Sequence, residues 1–222
     1  MYKIFIELNS SNIMPRLMDI GLERLSNLIK DMAKLSEDCV NIAIESFLKD
    51  IDATNNLYEQ STKLLLLHNE VNELAMELLI RYQPVASDFR YIRACLEISY
   101  GLSRFGRYAY DIAVVRSQLG NLSNCDHSLI VKTAEHVKLM IYDSIRSFNN
   151  RDIELAKKVR ENDDLVDALY KQNIRSILEG NMNIKCAVAS TLIMRYLERI
   201  ADHAVYISDL VRYIITGNFT YI

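Results

Sequence analysis

Glu198 and Asp202 stand four residues apart, and Asp209 follows seven later, in a stretch from Ile184 to Thr216 that contains neither Gly nor Pro. Placed on a helical wheel at ~100° per residue, the three carboxylates fall on one side. Ile193, Leu197, Ile200, Ala204, Ile207, Val211 and Ile214 fall on the other. Two readings fit such a row. It is a solvated helix face, because like charges one turn apart cost only ~0.2–0.5 kcal/mol on an exposed helix. Or it is a surface metal site, because two carboxylates one turn apart can point at one hard or borderline cation or bridge two. Asp209 lies two turns further along and stays outside any such shell. His203 follows Asp202 by about 100° and reads as a partly buried structural histidine rather than a ligand.

The elements that must hold these side chains are helices. The chain has 222 residues, half of them hydrophobic, with only six Gly and two Pro, a balance that calls for long helices and short loops. Apolar residues recur at three and four from Leu17 to Leu48, where Leu22, Leu25, Ile29, Met32, Leu35 and Cys39 mark the inner face. A second helix is expected from Asn55 to Tyr82, with Leu64–Leu67, Val71, Leu74 and Leu78 as its apolar set. Gln83-Pro84 ends it, and a third helix runs from about Val85 to Leu119. Gly120–Asn124 is a polar link and the best internal boundary. A fourth helix is expected from about Cys125 to Phe148. Asp152 reads as an N-cap for a fifth from Ile153 to Leu178, which Gly180-Asn181 closes. The sixth carries the carboxylates. The plan repeats, since the turn at Asp52 matches that at Asp152, and Leu102–Ala109 matches Leu197–Ala204. Pattern alone therefore predicts an all-α fold of six long helices in two pseudo-symmetric three-helix bundles. Residues 14–120 form the first repeat and 125–222 the second, and residues 1–13 are an N-terminal extension with a β-like Tyr2–Leu8.

Several functions are excluded. Net charge is −3 and the pI about 5.9, without the basic stripe that nucleic acid needs. No apolar run approaches the ~18–20 residues of a membrane span, and the first residues lack the pattern of a signal peptide. Di-iron bundles need E-x-x-H pairs, but the residues three before His68, His127, His136 and His203 are Leu65, Asn124, Thr133 and Ile200. There is no G-x-S-x-G, P-loop or dinucleotide fingerprint. Cys39, Cys95, Cys125 and Cys186 form no C-x-x-C pair and read as four single reduced core thiols.

The segment Leu197-Glu198-Arg199-Ile200-Ala201-Asp202-His203-Ala204 closely resembles the signature of the PhoU family, L-E-R-[IA]-[GA]-D-[HY]-A. The resemblance covers roughly Met14 to Phe219. It implies two three-helix repeats, each ending in a helix with an E-x-x-x-D motif, and a surface carboxylate site for iron, zinc, manganese or another such ion. In this family the clusters draw further carboxylates from the preceding helix. Here that helix carries Glu161, Asp163, Asp164 and Asp167, of which Asp164 and Asp167 are three apart. The metal ligands implied are thus Glu198, Asp202, Asp164 and Asp167. The resemblance further implies a non-enzymatic cytoplasmic regulator of phosphate uptake and homeostasis. Its partners would be a phosphate ABC transporter, especially the ATPase, and a sensor kinase, and it would often be a homodimer. The runner-up readings are a PhoU-like metal-responsive module on a different transporter, and a carboxylate-bridged metalloenzyme.

The first repeat departs from the pattern. Ser103 stands where the motif has Glu, and Arg107 where it has Asp. A permanently protonated guanidinium repels a cation. Arg107 is expected to pair with Asp111 one turn on; alternatively, Arg104 and Arg107 bind an anion or an acidic partner. Pro84-Val85-Ala86-Ser87-Asp88-Phe89-Arg90 keeps the family's approach to this helix, with Asp88 set to meet the helix dipole.

Overall fold

The computed structural model describes residues 16–180 and 182–218. The expectations for the first 13 residues and for Asn181 lie outside them. The described residues form six α-helices: α1 (Leu17–Leu48), α2 (Thr54–Tyr82), α3 (Ala86–Leu119), α4 (Ser128–Asn150), α5 (Ile153–Leu178) and α6 (Ile184–Thr216). No strand occurs among them. No helix there is long and apolar enough to cross a membrane.

Local chemistry sets the boundaries. The Asp152 side chain accepts from the amides of Glu154 and Leu155 and opens α5, satisfying two of the donors that a helix start leaves orphaned. Asn183 does the same for Lys185 at the head of α6. Beyond α6, Gly217 sits at φ +80°, a left-handed closure that an L side chain resists. Pro84 follows Gln83, itself left-handed at φ 46°. α3 starts one residue later than expected because Val85 is extended. α4 starts at Ser128, not Cys125, because the Asp126 carboxylate accepts from the Ser128 amide and hydroxyl and holds the preceding residues in a turn.

α3 packs on α1, α2 and α6, while α6 packs on α4, α5 and α3, and α1 also touches α4. The two motif helices are therefore central and face each other. Arg93 lies over the Tyr213 ring, Glu97 accepts from the Tyr206 hydroxyl, Tyr100 meets His203 and Tyr108 stacks on Tyr196. Positions climb on α3 as they descend on α6, so the two helices run antiparallel. The whole expected apolar face of α6, from Ile193 to Ile214, is buried. On α2 only Leu64 of the four consecutive leucines is buried, and Leu65 and Leu66 are 54% and 64% exposed. Adjacent helical positions are ~100° apart, so one core face cannot take all four.

The cysteine expectation is corrected in half. Cys39 and Cys95 are buried thiols, and burial pushes both up to about 12. Cys125 and Cys186, 61 residues apart, form a disulfide. Neither lies in the core. The linker after α3 passes the first turn of α6 and brings the two half-buried sulfurs together, an approach that spacing alone does not signal. Lys185 reinforces the approach by donating to the Asn121 carbonyl.

Candidate functional site

Glu198 and Asp202 project from the middle of α6 toward α5. Their burial differs, with 13% of the Glu198 side chain exposed and 47% of the Asp202 side chain. Arg195 donates to Oε1 of Glu198. Oε2 of Glu198 is buried and has no hydrogen-bond partner, and Nε of Arg199 lies 4.0 Å from it. Arg199 also reaches Oδ2 of Asp202 at 3.6 Å. A buried carboxylate oxygen without a donor is costly, and this one lies where the motif presents it to α5.

The electrostatics identify what faces it. Burial first, and then the Asp202 charge, raise the Glu198 carboxyl above the usual carboxylate range, with Arg195 and Arg199 opposing and Asp167 adding to the rise. Burial also raises Asp202, Arg199 and Arg195 pull it back, and Asp167 adds to the rise. Asp163 is pushed up to about 6 by burial and then by Asp202, Asp167 and Asp164. Asp163, Asp167, Glu198 and Asp202 therefore share one repulsive field across the α5–α6 seam.

Of the second-helix carboxylates named from the sequence, Asp167 joins this field while also taking Lys171 at 3.4 Å. Asp164 adds to the rise at Asp163 and also lines a groove of about 400 Å³ with Arg160 and Asp209. Sequence reasoning passed over Asp163, although Asp163 and Asp167 have the same i,i+4 spacing as Glu198 and Asp202. Asp209 is held by Arg160, whose Nη2 reaches both carboxylate oxygens at 2.7 and 2.6 Å. Among the described residues, no three His, Cys, Asp or Glu side chains are gathered closely enough to hold a metal ion. Arg195 already takes the Oε1 oxygen of Glu198.

The matching place on α3 has other chemistry. Ser103 is buried and donates to the Tyr100 carbonyl. Arg107 pairs with Asp111 at 3.0 Å and covers the Tyr110 ring. Arg104 covers the Tyr108 ring at 4.7 Å and donates to its hydroxyl. His203 sits against the rings of Tyr100 and Tyr108. Burial, then Arg104 and Arg199, lower it to about 4, so it is a neutral packing group near pH 7.

The PhoU domain model matches residues 29–115 and 130–211, one stretch in each half of the fold. The chain belongs to the PhoU family. The PhoU homolog of Aquifex aeolicus, named a phosphate-specific transport system accessory protein, is 32% identical over 80% of this chain and 83% of its own length. PhoU homolog 1 of Methanothermobacter thermautotrophicus, with the same designation, is 29% identical over 87% of this chain and 93% of its own. The crystal structure of PhoU from Pseudomonas aeruginosa superposes with a TM-score of 0.84 at 26% identity, covering 90% of this chain and 99% of that one. The PhoU signature, Leu197–Ala204, thus falls on the helix where the carboxylate field is centred.

Proposed function

We propose that this chain is a regulator of phosphate uptake and phosphate homeostasis. It works on the cytoplasmic side by contact with the ATPase of a phosphate ABC transporter, and with a sensor kinase where one is present, rather than by turnover. The observation that carries this reading is the intact signature at Leu197–Ala204, set in a PhoU fold matched in both halves. Relatives with this architecture are named accessory proteins of a phosphate-specific transport system. Negative regulation and a homodimeric working state belong to the same proposal.

We include a cation on the second repeat, iron, zinc or manganese. The fit rests on Glu198 Oε2, a buried carboxylate oxygen without a donor, and on the raised carboxyls around it. Glu198, Asp202 and Asp167 are the ligands proposed; no three such side chains are gathered closely enough among the described residues, so they would have to converge on the ion. When bound, the ion supplies positive charge to a cluster that otherwise repels itself. Arg195 supplies part of that charge in the structure described and must turn away for the ion to enter. Such oxygen ligands suit hard and borderline ions.

Co-purification of the tagged chain with the transporter ATPase tests the regulatory reading; a stable, specific complex is expected, and none would overturn it. Metal analysis of the purified chain beside a Glu198→Ala/Asp202→Ala double variant tests the ion. Equal content in both would end that part. One observation favours a second reading, a PhoU-like module on a different transporter: the charge-reversed motif of the first repeat, Ser103 and Arg107.

A further inference from the structure

Where the second repeat gathers carboxylates, the first repeat presents arginines on tyrosines beside exposed leucine. We propose that this face of α2 and α3 is a docking surface for an acidic segment of a partner protein with an apolar anchor. The inference rests on the regulatory reading in that it names the chemistry of the partner such a regulator would contact.

Charge comes first. Arg107 is exposed, and among the described residues its ion pair is with Asp111 on its own helix. Among the described residues, no carboxylate lies within ion-pair distance of Arg104, whose planar group is held over Tyr108. Both guanidiniums are pre-positioned by rings, so little side-chain freedom is lost when a carboxylate arrives. A fork of fixed donors also matches a carboxylate in both geometry and sign.

The apolar part is contiguous with the charge. Tyr110, under Arg107, packs on Tyr58 of α2 at 5.6 Å between centroids, and Tyr58 is 59% exposed. Gly106 brings the two helices close, its α-carbon facing Leu64 and the Ser61 backbone. Leu65, one turn beyond Ser61, is 54% exposed, and Tyr100 is 47% exposed. Tyrosine and arginine are over-represented where truncation costs most binding energy in protein interfaces. Arg107 stands where the second repeat has Asp202, while Arg104 matches Arg199, so the first face is the more positive of the two and an acidic segment has an electrostatic reason to choose it.

The probe is a fluorescein-labelled twelve-residue peptide that alternates glutamate with leucine and phenylalanine, titrated with the full chain by fluorescence anisotropy at low salt. Saturable one-to-one binding is expected, and a glutamine version of the peptide should fail. Arg107→Glu and Tyr58→Ala, each checked for helicity and thermal midpoint, should weaken binding by about tenfold. Glu135→Gln, on the exposed face of α4, should leave it unchanged. Absence of saturable binding, or equal affinity in the Arg107→Glu and Tyr58→Ala variants, overturns the proposal. So does full competition by inorganic pyrophosphate at equal concentration, which would make this a small-anion site. The titration contains no transporter, so its failure is separate from failure of the ATPase co-purification.

Discussion

Arg195 grips one oxygen of Glu198 from the preceding turn and leaves the other buried and without a donor. The pair is therefore an internal stand-in for a cation. Replacing the guanidinium should make the carboxylate more available. Arg195→Gln is expected to bind Mn2+ several-fold more tightly than the native chain in isothermal titration. Unchanged or weaker binding would mean that the arginine is not the competitor.

Asp163 holds its proton more tightly when folded than when unfolded, since its carboxyl rises from an ordinary value near 4 to about 6. Its favourable contribution is thus complete below pH ~4 and is lost as pH rises through about 6. Asp163→Asn should raise the thermal midpoint at pH 8 and do nothing comparable at pH 4. A gain of equal size at both values would remove the titration from the explanation.

His203 acts with the opposite sign. Its folded value of about 4 lies below the ordinary 6.5, so the fold prefers the neutral ring. That stability is present above pH 6.5 and is lost as pH falls toward 4. His203→Gln should flatten the acid limb of the stability curve between pH 6.5 and 4. Because Asp163 works against this slope, Asp163→Asn alone should steepen the same limb, and adding it to His203→Gln should undo part of the flattening.

The disulfide closes a loop with a sequence separation of 61. Loop-closure arguments put its contribution at roughly 2–4 kcal/mol. Cys125→Ser/Cys186→Ser should lose about that much in urea denaturation. The native chain treated with reductant should fall to the same midpoint, and the variant should be indifferent to reductant.

A methyl group at Gly106 would lie 2.4 Å from Cδ1 of Leu64, a fully buried side chain. Gly106→Ala gains about 1 kcal/mol of helix propensity but overpacks the α2–α3 contact, which typically costs ~1–3 kcal/mol. A net loss is expected in chemical denaturation, and the Gly106→Ala/Leu64→Ala pair should lose less than the sum of the two single variants.

The helices were legible because their signals are local. Ile193 to Ile214 repeat at helical spacing, Asp152 caps, Gly180 terminates and Pro84 interrupts, and each of these acts within a turn or two of itself. The family signature made Glu198 and Asp202 legible in the same way. What escaped depends on contacts between helices. The rotation of α5, which turns Asp163 rather than Asp164 toward Asp202, is set by packing across the seam. The approach of Cys125 to Cys186 depends on the path of a linker. The arginines beside the carboxylates were plain in sequence, but their hold on Glu198 follows from rotamers that no pattern encodes.

The antiparallel embrace of α3 and α6 has a corollary for cutting the chain. Severing it near Gly120 would not liberate two independent modules, because each would bare a greasy flank that its sister had covered. Such a fragment, residues 122–218 for example, should recruit a twin and sediment as a pair. That pair would rebuild with identical subunits the two-fold relation that the intact polypeptide achieves with unlike ones.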